Sequence, residues 1–141
     1  MPVRSASAQW NGDLRSGNGT MSVGSGAFQG AYSFGTRFEE APGTNPEELI
    51  AAAHASCFSM ALSAQLGGAN LTPESINTTA NLKMEKLDAG WAITAIHLEV
   101  KAKIPNADDA AFQKAAENAK AGCPVSKVLN AKISMNAVLE K

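Results

Sequence analysis

The order of residue patterns along the chain predicts an α+β fold. Short strands broken by glycine occupy residues 5–35, a long helix covers about residues 46–66, and two alternating strands cover residues 75–104. A second helix over residues 107–121, a short helix and a last strand over residues 131–139 complete the order. Strands and helices are grouped rather than strictly alternating, so the class is α+β.

The first segment has the composition of short strands separated by turns. Residues 5–11 form a weak strand, residues 17–19 (Gly-Asn-Gly) are a strong turn signal, and residues 20–23 alternate. We interpret the aromatic residues as core residues, a subset of which is suited to line an apolar entrance. They are Phe28, Tyr32, Phe34, Phe38 and Phe58.

A run rich in alanine and leucine, residues 44–62, predicts the longest helix. Asn45 is the expected N-cap, Pro46 suits the first helical position, and Glu48 stands where a capping box places an acid. Two glycines at residues 67–68 are the stop signal.

The second half of the chain combines a hairpin with helices. Residues 75–86 and 91–104 carry apolar side chains at alternate positions and are joined by a turn at residues 88–90, which predicts an antiparallel hairpin with one buried face. An apolar stripe predicts a helix over residues 107–121, and Pro124 starts a short one.

Length and composition exclude several classes of protein. A chain of 141 residues is most simply a single domain spanning residues 1–141. Twelve basic residues against 13 acidic ones argue against a nucleic-acid partner. No apolar run approaches the ~20 residues of a membrane helix, and residues 1–10 lack a hydrophobic signal core, so we expect a cytoplasmic protein without a membrane partner. Two cysteines in that compartment suggest redox chemistry or metal binding.

Cys57 lies in the middle of the long predicted helix. The helix dipole lowers a thiol pKa only in the first turn, so a reactive Cys57 needs a neighbouring cation. Arg4 lies near the N-terminus and Arg15 in a turn, which makes Arg37, one turn before the helix, the best candidate. Without such a partner, a buried cysteine is more often an inert small hydrophobe.

Cys123 occupies a different kind of position, directly before Pro124 and therefore at a helix cap. A thiol at a helix N-terminus has a lowered pKa and is a good leaving group in disulfide exchange. A mid-helix nucleophile with a partner at a cap is what a two-cysteine peroxidase requires, because the second thiol condenses with the sulfenic acid formed on the first.

Two segments carry a family resemblance. Residues 44–61 (Thr-Asn-Pro-Glu-Glu-Leu-Ile-Ala-Ala-Ala-His-Ala-Ser-Cys-Phe-Ser-Met-Ala) and 121–129 (Ala-Gly-Cys-Pro-Val-Ser-Lys-Val-Leu) resemble the signature segments of the OsmC/Ohr family of thiol peroxidases. The similarity extends over nearly the whole chain. Residues 36–39 (Thr-Arg-Phe-Glu) and His54 resemble the OsmC (osmotically inducible protein C) branch rather than the organic hydroperoxide resistance branch.

The resemblance implies roles for four residues and an assembly. Cys57 would be the peroxidatic cysteine, Cys123 the resolving cysteine, Arg37 the thiolate-stabilising cation and Glu47 the acid that holds the arginine. It implies an OsmC-like fold in which antiparallel sheets pack around a long central cysteine-bearing helix in an intertwined homodimer. Organic hydroperoxides would be reduced to alcohols, hydrogen peroxide less well. A dithiol, of lipoyl type in this family, would regenerate the thiols, without metal or flavin.

The spacing of two of these residues points independently to a dimer. Glu47 and Cys57 are ten residues apart, roughly 15 Å along a straight helix, so one helix cannot bring both to one site. Two copies that cross antiparallel near residues 51–53 (Ala-Ala-Ala) would bring Glu47 of one towards Cys57 of the other. We expect composite active sites at this interface.

Three alternatives remain at the level of sequence. A redox sensor or binding module would form the same disulfide without turnover. A Cys-His hydrolase would pair Cys57 with His54, three residues earlier on nearly the same helix face, but no orienting residue or oxyanion motif is evident. A metal site of His54, Cys57 and Cys123 would be one ligand short of a closed zinc shell. We interpret His54 as a pocket wall or packing residue.

Overall fold

The computed structural model describes residues 2–140, which form two compact units. The first extends to Leu49 and the second begins at Ile50, so the boundary falls inside the longest helix. Each unit contains one three-stranded sheet. The prediction of a single domain remains a prediction.

The first unit contains an antiparallel sheet of strands β1 (Ala6–Asn11), β2 (Asn18–Val23) and β3 (Gln29–Tyr32), in that order. Gly19 is paired with Trp10 on one side and with Tyr32 on the other. A Cβ atom there would lie 2.6 Å from a Tyr32 ring carbon and 2.8 Å from a Trp10 ring carbon. The close approach of the two rings therefore requires glycine at this position.

The turn between β1 and β2 lies earlier than the Gly-Asn-Gly signal at residues 17–19 predicted. Gly12 has φ +96°, and the Asp13 carboxylate accepts the Ser16 N–H at 2.8 Å. The Gly17 N–H then bonds to the Asp13 carbonyl at 3.0 Å. This local Asx arrangement completes the reversal before Asn18, so the residues of the signal largely belong to the strand.

A short helix, α1 (Phe34–Phe38), begins at the end of the segment, residues 5–35, that we interpreted as short strands. Its N-cap, Ser33, accepts the Thr36 N–H at 3.2 Å, and the Thr36 hydroxyl accepts the Ser33 N–H at 2.8 Å. This reciprocal capping box satisfies two backbone donors and gives the helix a defined start.

Helix α2 (Pro46–Gly68) begins as predicted and reaches the last glycine of the stop signal. Asn45 accepts the Glu48 N–H at 2.7 Å, which agrees with its predicted capping role. The Glu48 carboxylate does not complete the box in the expected way, because it accepts the Thr44 hydroxyl at 2.8 Å.

The second unit contains the predicted hairpin, but its third strand runs in a direction that we did not expect. Strands β4 (Ser75–Leu87) and β5 (Gly90–Lys103) pair antiparallel, with a register shift between Lys83 and Met84. Strand β6 (Lys132–Glu140), however, pairs parallel to β5, so the expectation of purely antiparallel sheets is wrong. The helices α3 (Asp109–Gly122) and α4 (Pro124–Val128) form the crossover that a parallel connection needs.

The core of the second unit joins one stripe of α2 to β5 and α3. Phe58, Leu62 and Leu66 are fully buried at intervals of four residues along α2. The remaining members of the buried cluster come from the hairpin, the segment after it and α3: Ile96, Leu98, Val100, Ala102, Ile104, Phe112, Ala115, Ala116 and Ala119.

We expected no segment apolar and long enough to be a membrane helix, and helix α2 corrects that expectation. It has 23 residues and a mean hydropathy of 1.4 over its most apolar window, which suffices by length and composition for a membrane span. Its many alanines raise the mean although no unbroken apolar run is long. A core helix of a soluble protein has the same properties, so this is weak support for a membrane role. Only 22% of that window is buried within the chain.

Candidate active site

The two cysteines, both free thiols, are brought together in the second unit. The Sγ atoms of Cys57 and Cys123 lie 2.9 Å apart. Cys57 is partly exposed in the middle of α2, whereas Cys123 is fully buried at the junction that ends α3 and begins α4. A covalent S–S bond is about 2.05 Å long, so a small movement would allow a disulfide to form.

The surroundings shift the pKa values of the two thiols in opposite directions. Burial raises the pKa of Cys123, but hydrogen bonds from Cys57 and from the backbone and side chain of Ser126 outweigh burial and leave it lowered. Burial, together with the hydrogen bond shared with Cys123, raises the pKa of Cys57. Burial therefore acts against a thiolate on either cysteine, and the second unit does not by itself activate Cys57.

Arg37 and Glu47 form a bidentate ion pair in the first unit. Arg37 Nε donates to Glu47 Oε1 at 3.0 Å, and Nη2 donates to Oε2 at 2.8 Å. Helix α1 carries the arginine and the first turn of α2 carries the glutamate. The glutamate side chain is 13% exposed and the arginine side chain 40%, so the guanidinium is oriented by a largely buried acid while it remains accessible.

Arg37 also contributes to a cavity of about 260 Å³ in the first unit. The other lining residues are mostly aromatic: Trp10, Leu14, Tyr32, Ser33, Phe34 and Phe38. Sequence reasoning anticipated a role for some aromatic residues but missed Trp10 and Leu14. Alternation along β1 and β3 offered a signal for Trp10 and Tyr32, whose ring centroids lie 5.5 Å apart.

His54 is fully buried and forms a hydrogen bond of 2.7 Å between its Nε2 atom and Ser126 Oγ. Burial lowers the pKa of His54, which keeps the imidazole neutral at pH 7. The interpretation of His54 as a pocket wall or packing residue stays a prediction, to which the structure adds a buried hydrogen bond. Ser126 was missed by sequence reasoning, although its place three residues after the cap residue Cys123 was a usable signal.

The structure thus brings the four predicted site residues together in two pairs. Cys57 contacts Cys123 in the second unit, and Arg37 contacts Glu47 in the first. Within residues 2–140, no group of three or more His, Cys, Asp or Glu side chains is arranged to hold a metal ion.

Comparisons with known proteins agree on one family. The family described as OsmC-like protein matches residues 38–137. The chain is 53% identical to "Peroxiredoxin OsmC" of Escherichia coli strain K12 over 94% of both chains. It is 29% identical to an "Organic hydroperoxide resistance protein" of Xanthomonas axonopodis pv. citri over 69% of this chain and 67% of that one.

The fold is shared with solved structures of low sequence identity. An OsmC-like protein of unknown function from Vibrio cholerae superposes with a TM-score of 0.79 at 16% identity, covering 98% of this chain and all of that one (100%). At this identity the similarity establishes the OsmC-like fold alone.

Proposed function

The chain belongs to the OsmC family, and from this premise we propose that it is a thiol-dependent peroxidase that reduces organic hydroperoxides. The E. coli relative is named a peroxiredoxin and the Xanthomonas relative an organic hydroperoxide resistance protein. The observation that carries the proposal is the distance of 2.9 Å between the sulfur atoms of Cys57 and Cys123.

The proposed reaction begins on the more exposed thiol. The Cys57 thiolate attacks the distal oxygen of the hydroperoxide, the O–O bond breaks, and a sulfenic acid and an alkoxide form. The alkoxide takes up a proton and leaves as the alcohol. The Cys123 thiolate then attacks the Cys57 sulfur, which releases hydroxide and forms the disulfide. A dithiol reductant restores both thiols and is itself oxidised to a disulfide.

Arg37 is the proposed activator of Cys57. The pKa of Cys57 is raised by its own surroundings, so a cation from elsewhere must stabilise the thiolate. A guanidinium held by Glu47 at 2.8 Å is oriented for this task. The same charge would stabilise the negative charge that develops on the departing alkoxide.

We propose that Arg37 and Glu47 of one copy complete the site around Cys57 of a second copy in a homodimer. The exposed side of α2 supports this arrangement, because Ala52 and Ala53 are exposed and Met60 is 77% exposed. Small side chains allow two helices to approach closely, and a two-fold interface uses the same patch twice.

The cavity of the first unit is the proposed place for the organic part of the substrate. Its volume of about 260 Å³ lies near the lower limit of typical small-ligand pockets, ~300 Å³, and its lining is aromatic except for Arg37, Ser33 and Leu14. Such a cavity favours an apolar hydroperoxide over hydrogen peroxide, which has no apolar part to bury. The lipoyl-type reductant stays an expectation from the family resemblance, and the cytoplasmic location stays an expectation from the sequence.

Mass spectrometry after one equivalent of tert-butyl hydroperoxide tests the chemistry. We expect a Cys57–Cys123 disulfide in the wild type and a sulfenic or overoxidised Cys57 in Cys123→Ser. Unmodified thiols in the folded wild type would contradict the proposal. Repeated turnover with a dithiol would favour the enzyme over the redox sensor, and loss of turnover in Cys123→Ser is not expected of a hydrolase.

A mixing experiment tests the composite site. Arg37→Ala and Cys57→Ser are each expected to be inactive alone. Random exchange of subunits would create mixed dimers in which one of the two sites is intact, so activity per chain should return to about a quarter of the wild-type value. No recovery, with exchange verified by native mass spectrometry, would show that the site does not combine residues from two copies.

A further inference from the structure

A buried pair of polar side chains beside the cysteines has no role in the reaction described so far. His54 is 0% exposed and Ser126 is 9% exposed, and the bond between them is 2.7 Å long. Their positions are 72 residues apart in sequence, so only the folded unit joins them. Burying two polar side chains is costly unless they are hydrogen-bonded, and this bond offsets that cost. We therefore ask what the pair does beside the cysteines.

The other imidazole nitrogen indicates which atom carries the proton. His54 Nδ1 is buried and has no hydrogen-bond partner among the described residues. A neutral imidazole has one N–H, and an orphaned buried N–H is rarer than an unpaired acceptor. We therefore assign the proton to Nε2, which then donates to Ser126 Oγ. The serine's own hydroxyl proton is left free to be donated elsewhere.

Cys123 is the acceptor that we assign to that hydroxyl. It is the N-cap of α4, and Ser126 is the third residue of the same helix, the position whose groups lie beside the cap side chain. Burial raises the pKa of Cys123, and the Ser126 side chain acts against burial and contributes to lowering it. With the bond from His54 to Ser126, this assignment would complete a chain of donors that ends at the sulfur of Cys123.

We propose that His54 is a positioning residue for the resolving step: it holds the Ser126 hydroxyl so that its proton points at the Cys123 sulfur. This inference rests on the proposed peroxidase function. In the thiolate state the Ser126 O–H donates to the negative sulfur, and the His54 N–H occupies the serine oxygen lone pair, which prevents the hydroxyl from turning away. No proton leaves His54 during the step. The hydroxide released from the sulfenic acid takes its proton from solvent.

The same arrangement explains why the Ser-His pair does not act as a hydrolase. A serine nucleophile needs a base that accepts its proton and a third group that orients the base. Here Nε2 donates to Ser126 and Nδ1 has no orienting partner among the described residues. A hydroxyl that is 9% exposed is also poorly placed to meet a substrate.

The primary test is a titration of Cys123 by the 13C shift of its Cβ atom, in a Cys57→Ser background where it is the only thiol. Ser126→Ala and His54→Leu should both move the midpoint to higher pH. Combining them should add little to Ser126→Ala alone, because both interrupt one chain of hydrogen bonds. His54→Gln can present an N–H near the position of Nε2, so its midpoint should lie close to that of the Cys57→Ser parent.

The second measurement is the rate at which the disulfide closes after one equivalent of tert-butyl hydroperoxide, with Cys57 present. Losing one charge-assisted hydrogen bond lowers the thiolate fraction roughly tenfold. A more basic thiolate is intrinsically more nucleophilic and recovers about a factor of three, so closure should slow roughly threefold. Dimedone added during this interval should trap correspondingly more sulfenic acid on Cys57.

Ser59→Ala is the matched control. Ser59 lies in α2, as His54 does, and its hydroxyl forms a hydrogen bond of 2.7 Å with Thr78 Oγ1 rather than with Ser126. Ser59→Ala should leave the Cys123 midpoint unchanged. An unchanged midpoint in Ser126→Ala would overturn the proposal, and so would a folded His54→Leu whose midpoint equals that of the Cys57→Ser parent. If the wild type forms no sulfenic acid or disulfide, the peroxidase proposal fails, whereas the titration still decides the role of His54.

Discussion

Replacing Glu47 by glutamine separates two effects that the acid could have on Arg37. The substitution keeps the shape of the side chain but removes the charge and one of two acceptors, which receive Nε at 3.0 Å and Nη2 at 2.8 Å. Removing a negative charge alone would make the guanidinium a better partner for the Cys57 thiolate and would speed oxidation. Losing the two paired hydrogen bonds would let the guanidinium turn away and would slow the oxidation of Cys57.

The geometry predicts that the loss of orientation dominates. A hydrogen bond to a charged group contributes about 1.5–3 kcal/mol when buried. The Arg37 side chain is 40% exposed, so solvent screening reduces the value to about 1 kcal/mol. One kilocalorie per mole corresponds to roughly a fivefold lower rate of Cys57 oxidation, if Arg37 must be held in place to stabilise the transition state.

The assay is quenched-flow mass spectrometry of pre-reduced protein mixed with excess tert-butyl hydroperoxide, which gives the rate of Cys57 oxidation. Glu48→Gln is the matched control, since it removes the same charge from the same helical turn but its carboxylate accepts the Thr44 hydroxyl instead. We expect a change of less than twofold there. A Glu47→Gln rate equal to or above the wild-type rate would refute the orientation argument.

Three further predictions follow from burial and charge. Because the pKa of His54 is lowered in the folded protein, unfolded chains bind more protons than folded ones below about pH 6.5. The free energy of unfolding should therefore fall below that pH by up to ~1.4 kcal/mol per pH unit. Urea titrations should find this loss removed in His54→Leu. Phe58→Ala should cost about 3–5 kcal/mol in the same titrations, because the ring is fully buried, and a loss below 1 kcal/mol would contradict its place in the core. Met60→Lys should weaken the proposed dimer without unfolding the chain, as measured by light scattering over a dilution series; an unchanged dimer would exclude this part of α2 from the interface.

Features with strong local signals could be predicted from sequence. Helix α2 and the β4–β5 hairpin have long patterns, a cap and a turn, and both formed close to the predicted bounds. Helix α1 has only five residues, and the Ser33–Thr36 box that starts it was not recognised among the short strands around it. The parallel partner of β6 could not be predicted, because alternation within one strand does not state its direction relative to another.

The site shows the same division between local and long-range information. Cys57 and Cys123 stood out as the only cysteines in the sequence, and Arg37 through its place before the helix. The bond between His54 and Ser126 joins positions 72 residues apart, and no pattern near either residue identifies the other. Sequence reasoning consequently proposed Cys57 and Cys123 as the reacting residues but missed Ser126, whose hydroxyl bonds to His54.

The separation of the two cysteines along the chain has a consequence for the oxidised protein. Cys57 and Cys123 are 66 positions apart, so a disulfide between them would close a long loop in the unfolded chain. The loss of chain entropy would make the oxidised form more stable by about 4 kcal/mol. By the same thermodynamic cycle, folding would favour closure of the disulfide about a thousandfold over the unfolded chain. A reductant must overcome that preference, which favours a dithiol whose second sulfur completes the exchange before the loop can close again.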